Sequence, residues 1–480
     1  MKLIQILKRY PSLFWISNLI ELFERWAWYG FYMGFALFLV NSKDTGALGF
    51  TQVQKGMIMG TGSMLLYLLP IITGSIADKI GYKRVLFLAF LIYITGFYMI
   101  ISFDSYEMVF FSFIWICVGG AFFKPIISAV VARTTNAETS SIGFGIFYMM
   151  VNIGGFIGPF IAGIVLGKSW NYVFYLSMSA IAMNFLITLF FFKEPIIKEI
   201  GSSLGRTILQ AFRNIYITLI NWRYLMFLII MVLFWTAFNQ LYYSFPVFVE
   251  DWVNTSDLYN SLHSVFPSFA EAIGTPQGTI SAVTLSSMDS FFIIAFQLMV
   301  SAFVMRFRPL SAMMGGILVV AGGLGLMFSM QSGWLILFGL LVFSLGEMAS
   351  SPKFTEYIGR IAPEDKKALY MGTSFLPIAA SHQLAGWISG SPYEKIADKI
   401  YLLKEEVVKR GLSIPEITDQ FSKNDYFQEA ARQMNLSEGQ LKEFLWTNYH
   451  PSQIWVLFAG IAVSATIFLF IYDRFILPKK

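Results

Sequence analysis

Gly74-Ser75-Ile76-Ala77-Asp78-Lys79-Ile80-Gly81-Tyr82-Lys83-Arg84 reads as a short loop joining two membrane-crossing helices. Gly74 lets helices approach closely, Asp78 can pair with a basic group across an interface, and Gly81 permits a tight turn. Lys79, Lys83 and Arg84 concentrate positive charge at the turn. Apolar runs over 53–77 and 85–102 flank it, each long enough to cross a bilayer.

Comparable runs recur along the whole chain. They lie at 12–40, 53–77, 85–102, 107–132, 142–166 and 171–192, then at 223–250, 278–304, 309–330, 333–360, 367–390 and 451–475. The composition agrees: of 480 residues 56% are hydrophobic and only 13% charged, against roughly 25% charged in soluble proteins. That excludes a disordered chain, a disulfide scaffold and an ordinary cytosolic enzyme. The expected fold is all-α and integral to the membrane. The net charge of +5 reflects cations in short loops, so no nucleic-acid partner is implied. The single cysteine, Cys117, permits no internal disulfide. Lys2, Lys8 and Arg9 precede an apolar run that is too long for a signal peptide, so that run is expected to be an uncleaved first span.

Loop charge orients the spans. Lys79, Lys83 and Arg84; Arg133; Lys193, Lys198, Arg206 and Arg213; Arg306 and Arg308; Arg360, Lys366 and Lys367; and Arg474, Lys479 and Lys480 fall on one side. The opposite loops, 103–107 and 251–277, hold Asp104, Glu107, Asp251, Asp257 and Glu271 without Lys or Arg. Both termini are therefore expected in the cytoplasm, in a plasma or bacterial inner membrane. The polar segment 193–222 has no apolar run long enough to cross, so it divides the chain. The expected domains are 1–192, a cytoplasmic linker 193–222, and 223–480, which includes an outer helical insertion at 391–450.

Ionisable groups in mid-span are costly and mark functional sites. Glu21, Glu24 and Arg25 fall within an arc of about 100° on the first span, with Trp28, Tyr29 and Tyr32 on or near that face. Glu21 lies four residues before Arg25, a spacing that allows pairing. Lys124 and Glu347 are likewise near mid-depth of their spans. Lys353 and Glu356, three apart, can pair. His382 lies inside a span and His263 and His450 in outer loops, with no metal-ligand spacing.

The 74–84 loop matches at five positions the G-x-x-x-D-x-x-G-x-K/R-K/R loop of the major facilitator superfamily. Glu21-Leu22-Phe23-Glu24-Arg25-Trp26-Ala27-Trp28-Tyr29-Gly30 resembles the E-x-x-E-R-F-x-Y-Y-G signature of the proton-dependent oligopeptide transporters. Phe123-Lys124-Pro125-Ile126-Ile127-Ser128 is similar to their K-P-N-I-S segment, and Phe147-Tyr148-Met149-Met150-Val151-Asn152-Ile153-Gly154 to F-Y-x-x-I-N-x-G. Gly346-Glu347-Met348-Ala349-Ser350-Ser351-Pro352 is similar to G-E-L-x-x-S-P, and Phe234-Trp235 with Phe238 to Gln240 to F-W-x-x-F-E-Q.

The resemblance implies two six-helix bundles around a central cavity. It implies that Glu21, Glu24 and Arg25 couple protons, that Arg25 and Lys124 meet a substrate carboxylate, and that Glu347 meets its amino group. Tyr29, Tyr32, Tyr67, Asn152, Asn239 and Asp289 would line the substrate site, while Asp78, Arg84, Lys353 and Glu356 would act in gating. Tyr32 stands where many bacterial members have Arg, and Ser374 where Trp is common. Asn239 replaces the acid of F-E-Q, and Asp289 stands where the family usually has Asn. The last two changes suggest that an acid has moved between neighbouring spans, so that Lys124 pairs with Asp289 when the outer side closes; the alternative is that Asp289 faces outer water without a role.

The resulting expectation is a monomeric, proton-coupled symporter for di- or tripeptide-like zwitterions, embedded in lipid, without metal or cofactor. The departures leave a second reading, a proton-coupled carrier of another small organic solute. A third is a non-transporting receptor or membrane enzyme. Phosphate-loop, nucleophile-elbow and zinc-protease motifs are absent from the sequence, so ATP-driven transport and familiar hydrolases lack support.

Overall fold

Backbone in hydrocarbon must satisfy its own hydrogen bonds, so each apolar run folds as a helix. The computed structural model describes residues 7–136, 138–195 and 204–477; Lys2, Lys198, Lys479 and Lys480 lie outside them. The N-terminal half holds α1 (Ser12–Val40), α2 (Gln52–Leu68), α3 (Pro70–Ile80), α4 (Tyr82–Ser102), α5 (Tyr106–Arg133), α6 (Ser140–Leu166) and α7 (Trp170–Phe190). Then come α8 (Leu204–Leu219), α9 (Trp222–Phe238), α10 (Gln240–Tyr243), α11 (Phe245–Trp252), α12 (Ser256–Val265) and α13 (Pro267–Ile273). The rest comprises α14 (Ala282–Val304), α15 (Pro309–Ser329), α16 (Gly333–Ile361), α17 (Lys367–Thr373), α18 (Phe375–Ser389), α19 (Ser391–Ala397), α20 (Lys399–Arg410), α21 (Lys423–Gln433), α22 (Glu438–Tyr449) and α23 (Ile454–Ile471). No strand occurs among the described residues, only two isolated bridges.

Among the described residues, nine helices are long and apolar enough to cross a membrane, or ten with α2 and α3 taken as one span bent by 47°. The bend falls at Pro70, whose ring suits the first turn of α3 but not the interior of a longer helix. The other two expected spans are α1, with its three mid-helix charges, and the broken pair α17–α18. Two regions are more structured than the sequence suggested. The 193–222 segment contains α8, which packs on α3 and α17. The 251–277 loop folds into α12 and α13.

The 74–84 loop behaves as its residues require. Gly81 has φ +103, which favours glycine. Asp78 accepts from the Tyr82 hydroxyl at 2.6 Å and lies 3.6 Å from Arg133 at the end of α5. The first N–H groups of α4, on Tyr82 and Lys83, donate to the Glu194 carboxylate at 2.6 and 2.8 Å, a negative charge at a helix N-terminus. Arg84 is exposed on the same face.

The two halves meet along α2 against α18 and α6 against α14. At the first seam the backbones touch: a methyl group on Gly56 would sit 2.1 Å from the Gly386 carbonyl oxygen. That contact closes the face bearing the 391–450 insertion, called here the insertion face. The opposite face, near Arg9 and Asp473, is the termini face.

Candidate functional site

The first component is set by α1. Its cavity-directed stripe puts Glu21, Glu24 and Arg25 in one buried cluster, with exposures of 6%, 0% and 5%. Arg25 bonds Glu24 directly and lies 3.3 Å from Glu21. The other Glu24 oxygen accepts from the Tyr93 hydroxyl of α4 at 2.6 Å. Arg25 also lies over the Tyr29 ring at 5.8 Å.

Lys124 comes from α5, just before Pro125. Proline lacks an N–H, which leaves the Ala121 carbonyl without its helical donor. Thr73 supplies one through its hydroxyl at 2.6 Å, tying α3 to α5 beside the lysine. The Lys124 ammonium sits 3.7 Å from the centre of the Tyr67 ring, a cation–π contact. It lies in the field of Arg25, Glu24 and Glu21.

Tyr67 separates two cavities. One of about 420 Å³ reaches α8 and α17 on the termini face and is lined by Glu21, Arg25, Lys124 and Tyr67. The other, about 180 Å³, lies deeper and is lined by Tyr29, Tyr32, Tyr67, Asn239, Tyr242 and Glu347. Two cations and an acid on α1 and α5 thus face an acid on α16. A third cavity, about 1020 Å³, is on the insertion face between Trp170, Glu250, Asp257 and Lys442, and none of these site residues lines it.

The remaining expected residues divide. Tyr32 bonds Ser63 at 2.9 Å and faces the deeper cavity. Asn239 also reaches it and donates to Ser381 at 3.1 Å, which ties α9 to α18. Asn152 instead donates to the Tyr148 carbonyl one turn earlier, at 2.8 Å, and lines neither cavity. Lys353 pairs with Glu356 at 2.7 Å, which also holds Arg360 at 2.5 Å.

The expected Lys124–Asp289 pair is not made, although the insertion face is closed. Asp289 accepts from Ser344 of α16 at 2.6 Å. No carboxylate among the described residues comes within ion-pairing distance of Lys124, whose ammonium lies on Tyr67 instead. Asp289 lies one turn from Glu347 through Ser344, and their charges oppose each other. One oxygen of Glu347 is buried without a protein partner.

Three participants escaped the sequence reading. Tyr93 gives no signal in a run of apolar residues. Ser344 has none before Asp289 is placed beside it. Lys55 carried little, being an ammonium in the first turn of α2, at the end of its span. It is fully buried and donates to Gln52 at 2.7 Å and, across the seam, to the Tyr243 carbonyl at 2.8 Å. His382, stacked on Tyr67 and bonded to the Tyr243 hydroxyl at 3.1 Å, is a packing residue.

Residues 19–377 match the family model described as Major Facilitator Superfamily. The chain is 23% identical over 433 residues to the dipeptide and tripeptide permease B of Salmonella typhimurium, an alignment that covers 79% of this chain and 86% of the permease. It is 27% identical over 242 residues to a di-/tripeptide transporter of Lactococcus lactis subsp. cremoris, covering 49% and 47% of the two chains. In structure it is similar to a POT family transporter crystallised with 5-aminolevulinic acid, with a TM-score of 0.69 and 16% identity over 98% of this chain and 97% of that one.

Proposed function

This chain belongs to the major facilitator superfamily, and we propose that it is a proton-coupled symporter importing di- and tripeptide-like zwitterions by alternating access. The permease relatives support the substrate class. The observation that carries the coupling is the charge balance around Arg25. Glu21 and Glu24 offset Arg25 and Lys124 in one buried group. A peptide carboxylate entering that group adds one negative charge, which is expensive where water is excluded. A proton taken up by Glu21 or Glu24 restores neutrality and frees Arg25 for the peptide.

Glu347, with its unpartnered oxygen on the far wall, receives the peptide's amino group. Charges of opposite sign on two walls orient a zwitterion and reject its reverse. The termini face is cytoplasmic, so the closed insertion face makes this the inward-facing arrangement. A proton moving inward down the membrane potential supplies ~2.3 kcal/mol per 100 mV, roughly a fiftyfold accumulation. The protein acts as a monomer in a plasma or bacterial inner membrane.

Binding of one dipeptide in free, N-acetylated and C-amidated form tests the recognition. Loss of a charge-assisted hydrogen bond costs about 1.5–3 kcal/mol, so each cap is expected to weaken binding roughly ten- to a hundredfold. Equal binding of the three forms would remove the peptide assignment and leave the fold untouched.

A further inference from the structure

The insertion is held to the two halves of the molecule by different kinds of contact. It buries its own small core through Leu403, Ala430, Leu441 and Leu445. Toward the C-terminal half its attachment combines aromatic packing with one ion pair, Lys399 to Asp251 at 3.3 Å. Trp446 packs on Phe248 and Trp252 of α11, with ring centres 6.1 and 5.9 Å apart, and the Trp252 indole donates to the Ala397 carbonyl at 2.8 Å.

Toward the N-terminal half the attachment is polar. Lys43 pairs with Asp419 at 2.5 Å, and Asn424 bonds Asp44 and Ser42 at 2.8 and 3.2 Å. Gln52 donates to Glu394 and Asp398 at 2.9 and 2.7 Å. Water can replace such bonds on separation, whereas it cannot replace the apolar contact that Trp446 makes with the buried Trp252.

The end of α1 singles out one of these contacts. A helix leaves its last four carbonyls without helical donors. Here Asn41 N–H takes Leu37, Leu48 N–H takes Phe38, and Phe50 N–H takes Leu39. The fourth, on Val40, accepts from the Lys423 ammonium at 2.8 Å, and the same ammonium reaches the Phe50 carbonyl at 2.9 Å. A residue of the insertion thus completes the C-cap of α1, with its positive charge at the negative end of the helix dipole. That helix also bears Glu21, Glu24 and Arg25.

We propose that the insertion is the moving half of the gate on its face, travelling with the C-terminal bundle, and that Lys423 is the residue that latches it onto α1. Opening that face removes Lys423 from the Val40 and Phe50 carbonyls, which water then takes over. Closing restores the cap. The consequence for uptake rests on the transport reading above; the structural claim does not.

The test uses the full chain in lipid, with spin labels on Asp104→Cys, in the α4–α5 loop, and Val408→Cys, which is 79% exposed on the insertion. The native cysteine is buried and leaves the background clean. Lys423→Met should raise the ratio of long to short interlabel distances roughly ten- to a hundredfold, the effect of losing a charge-assisted bond. Lys395→Met, an exposed lysine of α19, should leave the distribution unchanged. Because Lys423→Met could instead unfold the insertion, a second variant, Lys43→Cys with Asp419→Cys, is bridged by a short thiol crosslinker. In protein that carries no labels the bridge should stop uptake, and reduction should restore it. An unchanged distance distribution in Lys423→Met, or uptake that continues while the bridge is intact, would overturn the proposal. A wild-type protein that moves but carries no peptide would instead remove the transport reading.

Discussion

Replacing Gly56 by alanine should drive the insertion face open. In the closed arrangement the new methyl carbon would lie 2.1 Å from the Gly386 carbonyl oxygen, and the Gly390 Cα is only 3.3 Å away. Both obstacles are backbone, so no side chain can swing aside, and α2 and α18 must part by about 1 Å to restore ordinary contact. Overpacking of this kind costs about 1–3 kcal/mol. The cost falls on the closed state alone, because the seam is not made in the open one. The closed-to-open ratio should therefore drop roughly five- to a hundred-and-fifty-fold. The 104/408 label pair reads this directly, and Gly386→Ala, with its methyl 2.3 Å from the Gly56 carbonyl oxygen, should behave alike. Gly315→Ala, where nothing lies within 4 Å, is the control and should leave the distances unchanged. A Gly56→Ala protein that keeps the wild-type distance distribution and melting temperature would refute the account of how the seam closes.

Other outcomes follow from the same geometry. Glu24→Gln keeps the side chain's shape but cannot cycle a proton, so it should abolish pH-driven accumulation while leaving some solute exchange; gradient-driven uptake at the wild-type level would remove Glu24 from the proton path. Lys124→Ala and Asp289→Asn should combine additively in a double-mutant cycle on substrate binding, with coupling below ~0.5 kcal/mol, because the two do not touch. A larger value would restore the pair. Burial pushes the Glu406 carboxyl up, but hydrogen bonds from Arg410 and Tyr449 outweigh it and hold the carboxyl below its usual range. Its contribution is therefore full above the ordinary carboxylate pKa and is lost as pH falls through the lowered one. Protection of α20–α22 against hydrogen exchange, corrected for the intrinsic pH dependence of the amides, should fall on acidification through that window, and Glu406→Gln should show the lower protection already at neutral pH.

Much of this was legible in the sequence because hydrocarbon imposes simple rules. Run length gave the spans, and the cost of charge in lipid pointed to Glu21, Glu24, Arg25, Lys124 and Glu347. What could not be read is what lies between elements. Lys43 and Asp419 are 376 residues apart, and no spacing rule links them. Asp289 was matched to Lys124 by charge and depth, but Ser344 on the adjacent helix offered a bond without bringing two bundles together. The helices α12 and α13 are too short for a crossing run to reveal them, whereas α8 carries a helical apolar periodicity through Leu209, Phe212 and Tyr216 that run length alone does not read. Lys55 stands in the first turn of α2, where a lysine ordinarily reaches water, and only the seam shows that it is buried.

The central claim is that proton entry drives peptide uptake, and accumulation in liposomes tests it most directly. Purified protein, reconstituted with acid outside and a negative potential inside, is given a labelled dipeptide. The dipeptide should accumulate well above the external concentration, the accumulation should collapse on adding a protonophore, and Glu24→Gln should lose the gradient-driven part. Uptake that only equilibrates the dipeptide, or accumulation indifferent to the protonophore, would contradict it.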